Sequence, residues 1–147
     1  MKKIIFLSLS LIWINLVSIA QEENRAIRDV IQSAYIDGIH NRQGLEKIHK
    51  GFHPGFEMIS KRNGLLTKLP IYNWIETVEI AMMDQKEPEE QNFVTAKFPM
   101  IDISGDAAIA KVELYRDDVH LFTDYMFLYR FGNDWRIVSK IYYRQAE

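Results

Sequence analysis

Residues 121–128 read LFTDYMFL, and Asp124 is the one acid in that run. Burying an unpaired carboxylate among such side chains costs several kcal/mol, so it needs a partner, a proton or a wet cavity. A carboxyl group lining an apolar cavity is suited to general acid or base work. The plainer role is to accept hydrogen bonds from tyrosine or backbone donors. Other residues could serve the same space. Tyr35 carries a hydroxyl that needs a partner if buried, and His53, between Phe52 and Pro54, could bond a ligand or tie down a loop. Trp74 lies on an apolar stripe, where core packing is the commoner role, and Phe56 follows the Pro54-Gly55 pair. His49 and His53 are four apart, as metal ligands on a helix can be, but Pro54 interrupts the second and no third ligand is placed by spacing. His40 sits at a helix end, where it suits the helix dipole, and His120 is isolated. Nucleophile-elbow, phosphate-loop and dinucleotide-loop patterns are absent, and no metal or cofactor is expected.

The elements that must position these residues are legible in order. Ile27, Val30, Ile31, Ala34 and Tyr35 fall on one helical face, with Gly38 marking a close approach or a stop. A shorter helix carries Leu45, Ile48 and Phe52 and must end by His53, before Pro54. FEMIS (56–60) and LLTKL (65–69) flank Arg62-Asn63-Gly64, a hairpin signal. Pro70 reads as the first turn of a third helix through Ile71, Trp74, Ile75, Val78 and Met82. DQKEPEEQ (84–91) is a solvated loop. Four long strand-like runs follow, broken at Ser104-Gly105-Asp106, Arg116-Asp117-Asp118 and Gly132-Asn133-Asp134, which predicts an antiparallel meander with Pro99 at an edge or bulge. Helices segregated beside such a sheet make an α+β fold.

The last hairpin decides what meets Asp124. A two-residue Gly132-Asn133 loop pairs Asp124 with Ile141 and gives it the face of Trp135, Ile137, Ser139 and Tyr143. A three-residue loop sets it beside Arg136, Val138, Lys140 and Tyr142 instead. Gly-Asn suits a tight turn and Trp135 wants burial, so the first register is expected, with Tyr143 near the carboxylate. The expected site is Tyr35, His53, Phe56, Trp74, Asp124 and Tyr143.

The chain has 147 residues and no cysteine, which excludes disulfides and thiolate chemistry. Met1-Lys2-Lys3, the apolar run Ile4–Val17 and the small residues Ser18-Ile19-Ala20 form the three parts of a secretory signal. The apolar run is short for a membrane span, so residues 1–20 are expected to be cleaved, leaving a single exported domain, 21–147, in the periplasm or outside the cell without a membrane anchor. Loss of Lys2 and Lys3 takes the net charge from −2 to −4, and a mildly acidic domain without a basic stripe does not suit nucleic acid. In residues 121–131 both alternating sets are largely apolar, more than one covered face requires. A second copy of the chain is the economical cover, and a homodimer is expected.

YIDGIHN (35–41), GFHPGF (51–56), Trp74, ISGDAAIAKVEL (103–114) and FTDYMFLYRFGNDWRIVSKIYYR (122–144) occur in that order. Together they resemble the putative lumazine-binding family of the NTF2-like superfamily, related to SnoaL-like and ketosteroid-isomerase-like proteins. The resemblance implies a strongly curved antiparallel sheet wrapped on the three helices of the N-terminal half, a cone with a pocket at its open end, and frequent dimers. It implies a flat heterocycle as ligand and names no reaction, because this superfold hosts many functions. The expectation is an exported protein that binds a small apolar or aromatic molecule without turnover. The alternatives are a cofactor-free isomerase, dehydratase or cyclase using Asp124 as base, and an accessory or scaffold protein acting through its sheet surface.

Overall fold

The computed structural model describes residues 20–84 and 92–146. The expected signal sequence, apart from Ala20, lies outside these residues, as does most of the charged stretch 84–91. No helix among the described residues is long and apolar enough to cross a membrane.

Helix α1 runs over 20–40 and changes character halfway, continuing over Ile31–His40 as a π-helix. Its end is closed by the Asn41 N–H bonding to the Ile36 carbonyl five residues back, at 2.9 Å. This wider winding brings residues five apart onto one face. In an α-helix they would stand about 140° apart at 3.6 residues per turn. Gln32 accordingly donates to Asp37 at 2.9 Å, and the Tyr35 and His40 rings meet edge to face at 4.7 Å. Long π segments are rare and are often found at functional sites. The helical spacing expected for Ile27, Ile31, Ala34 and Tyr35 does form the buried stripe.

Helix α2 (Leu45–Gly51) lies tightly on α1. A Cβ on Gly51 would sit 2.2 Å from the Ala34 Cβ, and one on Gly38 would sit 2.7 Å from Ile48 Cγ1, so both positions need the bare backbone. Pro70 stands immediately before α3 (Ile71–Met83), which buries Ile71, Ile75 and Val78.

The strands are β1 (Phe52–Arg62), β2 (Leu65–Pro70), β3 (Thr95–Ser104), β4 (Ala107–Arg116), β5 (Val119–Phe131) and β6 (Asp134–Arg144), in the sheet order β2-β1-β6-β5-β4-β3. The Asn63-Gly64 hairpin joins β1 to β2 as expected, both turn residues having positive φ. The meander turns fall where the sequence places them, and the β3–β4 register shifts between Lys97 and Met100, around Pro99. One pairing departs from a wholly antiparallel sheet: β6 closes on β1 in parallel. The sheet is therefore mixed, because the meander returns to the free edge of the first hairpin. Its concave face packs Ala110, Val112, Leu114, Met126, Leu128 and Ile137 against the helices.

The last hairpin corrects the expected register. The loop is the two-residue Gly132-Asn133 turn, with Phe131 opposite Asp134. Further along, Leu128 faces Ile137 but Phe127 faces Ser139, so Val138 is an extra residue on β6. This β-bulge reverses the phase of the rest of the strand. Trp135 and Ile137 point inward as expected, and beyond the bulge so do Lys140 and Tyr142. Asp124 pairs with Tyr142, not Ile141, and Tyr143 points outward, 61% exposed.

Candidate functional site

Asp124 is fully buried and has two partners. The Tyr35 hydroxyl donates to Oδ2 at 2.6 Å, and the Lys140 ammonium donates to Oδ1 at 3.0 Å. Lys140 also donates to the Tyr35 hydroxyl oxygen, closing a ring of three side chains from α1, β5 and β6. The apolar run thus takes the carboxylate by pairing it. A buried ion pair gains little net stability, because desolvation offsets the attraction, but removing one member exposes the full cost of the other. Burial, then the Asp124 charge and hydrogen bond, hold the Tyr35 phenol well above its usual range. Burial pushes the Lys140 amine below its usual value, against the opposing pull of Asp124.

Lys140 also meets aromatic faces. Its Nζ lies 4.5 Å from the Tyr35 ring centroid, 5.1 Å from that of Tyr142 and 5.5 Å from that of Trp74. These groups border a cavity of about 160 Å³ whose remaining walls are His40, Met58, Phe122 and Arg144. Asp124 is not among its lining residues; Lys140 presents the charge of the buried network to this space. Trp74 is oriented by a cluster behind it, at 5.9 Å from Tyr35, 6.2 Å from Phe56 and 6.3 Å from Phe52.

His40 completes the wall. Burial, with Lys140 and Arg116 nearby, lowers its pKa to about 3, so the ring is neutral at ordinary pH. Its Nε2 is buried without a hydrogen-bond partner. Such an atom forfeits about 1–3 kcal/mol unless something bonds it. A neutral imidazole can donate or accept there, according to its tautomer.

Residues 22–143 match the family described as putative lumazine-binding. The chain belongs to that family. Its fold is NTF2-like, as solved structures show. An NTF2-like protein of unknown function from Silicibacter pomeroyi DSS-3 is 18% identical, with a TM-score of 0.68 over 86% of this chain and 98% of that one. Another from Shewanella baltica OS155 is 25% identical, with a TM-score of 0.67 over 86% and 96%. A third, from Methylobacillus flagellatus KT, is 21% identical, with a TM-score of 0.63 over 85% and 94%. Comparison with curated proteins finds no match.

Within this family fold the six residues singled out from sequence divide into three groups. Tyr35 and Trp74 line the cavity, and Asp124 lies directly behind it, bonded to Tyr35. Phe56 is buried in the core and supports Trp74 from behind. His53 and Tyr143 do not join them. His53 stacks on Phe131 at 4.7 Å and accepts the Gly55 N–H at 3.0 Å, so it ties down the Pro54-Gly55 kink. Tyr143 is turned outward by the Val138 bulge. Lys140, Tyr142 and His40 take their places. Lys140 and Tyr142 belonged to the register set aside, whereas the wide turn that aligns His40 with Tyr35 has no marker in the residue spacing.

Proposed function

We propose that this protein binds a small, flat aromatic or heterocyclic molecule in the cavity between Tyr35, Trp74, Lys140 and Tyr142, and releases it unchanged. One observation carries the reading: an ammonium group, fixed by Asp124 and Tyr35, faces a cavity walled by aromatic rings. Flat rings with carbonyl or ring-nitrogen acceptors suit that combination, the π faces meeting Trp74 and Tyr142 and the acceptor edge meeting Lys140 and His40. The volume is about half the ~300 Å³ at which common small-molecule pockets begin, which selects one or two fused rings. The family's description, putative lumazine-binding, agrees with this class. General-base catalysis by Asp124 has less support, since both its oxygens are engaged and it stands behind Lys140 and Tyr35.

The reading extends to an exported homodimer. Export is supported by the basic, apolar and small-residue segments of residues 1–20. Dimerisation is supported by the convex face of β5 and β6, where Tyr125, Phe127, Tyr129, Phe131 and Ile141 are exposed together. The sheet surface is thus assigned to self-association, in place of a scaffold role.

Lumazine titration followed by tryptophan fluorescence and thermal melting tests the binding site. Saturating lumazine is expected to raise the melting temperature, a hundredfold excess over Kd contributing about 2.7 kcal/mol. Trp74→Ala is expected to abolish the effect while the protein stays folded. No shift in the wild-type protein, or an equal shift in the variant, overturns the assignment.

A further inference from the structure

The inner cavity has a neighbour. A wider space of about 660 Å³ shares His40, Phe122 and Arg144 with it and adds Arg116, His120 and Gln145. Among the described residues no carboxylate lines either space, although the chain as a whole is net acidic at −2. Among the described residues, Arg116 and Arg144 have no ion-pair partner there. Asp117 and Asp118 follow Arg116 in the β4–β5 turn, yet neither bonds it. Arg144 lies over the Phe122 ring at 5.3 Å, and the strand pairing continues past it through the Gln145 N–H on the Leu121 carbonyl at 3.0 Å. His120 is already committed, with Nε2 at 2.9 Å from the Phe122 carbonyl and 3.2 Å from the Thr123 hydroxyl. The two guanidinium groups are therefore the available charge of the outer space.

Resting on the ring-binding reading above, we infer that the ligand is an anionic one: its ring occupies the inner cavity and a carboxylate-bearing substituent reaches the outer space, where Arg116 and Arg144 hold it. Guanidinium forks match a carboxylate in a way that water-filled apolar walls cannot. Phe122, shared by both spaces, marks the passage between ring and tail. His40 Nε2, unpartnered at the same junction, is the hydrogen-bonding group at the point of attachment.

The test compares lumazine with lumazine-6-carboxylate by calorimetry on the wild-type protein, Arg116→Gln, Arg144→Gln and Trp74→Ala, at low and high salt. The wild type is expected to bind the acid about tenfold tighter than lumazine, as charge-assisted hydrogen bonds allow. Arg116→Gln, whose side chain lies outside the ring cavity, is expected to lose about tenfold for the acid while lumazine stays within about twofold. Arg144→Gln, which also walls that cavity, is expected to lose more for the acid than for lumazine, and added salt is expected to narrow the wild-type difference. Both arginines are exposed, so their variants are expected to melt like the wild type. Equal wild-type affinity for the two compounds, or equal losses for both in the arginine variants, overturns the anionic ligand and leaves ring binding intact. Binding of neither compound removes both readings.

Discussion

On the concave side of β5 and β6, Asp124 is fully buried and Lys140 nearly so, meeting only the cavity. On the convex side of the same strands Tyr125, Phe127, Tyr129, Ile141 and Tyr143 are 36–61% exposed. Polarity is thus reversed with respect to solvent across one pair of strands. Inside, the charged groups persist because each is bonded to another and to Tyr35. Outside, the aromatic groups keep apolar area that none of the described residues covers. The inner face is closed by its own side chains, and the outer face is the one to which the proposed dimer assigns a second copy.

Four changes would break or sharpen this contrast. Inserting an alanine between Ser139 and Lys140 has the largest expected effect. It moves the rest of β6 by one residue, which turns Lys140 outward opposite Tyr125 and sets Ile141 opposite the Asp124 carboxylate. The protein is expected to lose cooperative unfolding in urea, and a variant that unfolds like the wild type would show that the phase change is not needed. Lys140→Met comes next, because it leaves Asp124 buried with Tyr35 alone. A loss of about 3–5 kcal/mol is expected in urea unfolding, most of it regained when Asp124→Leu is added. A single variant within about 1 kcal/mol of wild type would deny the pair its role.

The third concerns acid. His40 titrates near 3 in the folded protein and near its ordinary 6.5 when unfolded. Below that ordinary value the unfolded chain binds the extra proton, so this contribution to stability is present above pH 6.5 and is lost as pH falls toward 3. The slope should approach about 1.4 kcal/mol per pH unit within that window. His40→Gln should flatten it, and identical pH profiles for the two proteins would contradict the burial of a neutral ring. The smallest effect on the fold is expected outside. Phe127→Glu should halve the mass seen by light scattering while circular dichroism and lumazine binding stay unchanged. A wild-type protein already monomeric at working concentration would remove the assignment of the convex face.

Much of the architecture could be read locally. Asn63-Gly64, Pro70, Pro99 and the three meander turns act through the backbone preferences of a few neighbouring residues, and the structure places each where its chemistry suggests. The need of Asp124 for a buried partner was equally legible, since it follows from one charge among apolar neighbours. Its partner on β6 was not. The turn chemistry of Gly132-Asn133 correctly indicated a two-residue loop, but the inserted Val138 has no distinctive residue type. A β-branched residue fits a regular strand as well as a bulge. Lys140 within RIVSKIYY looks like an ordinary solvated side chain until the phase of the strand is known. Tyr143 was drawn to the carboxylate for the same reason, and His53 by a loop position that turned out to anchor a kink.

What the sequence by itself determined was the list of segments, their turns and the presence of one acid that had to be satisfied. These depend on interactions between residues close in the chain. The tertiary structure alone decided that Tyr35, Asp124 and Lys140 meet, that His40 is swung onto the same wall by a widened helix, and that Tyr143 faces away. Each of those outcomes turns on a single-residue change of phase, in α1 and in β6. Such a shift costs little locally and is chosen by the packing of the whole sheet on its helices.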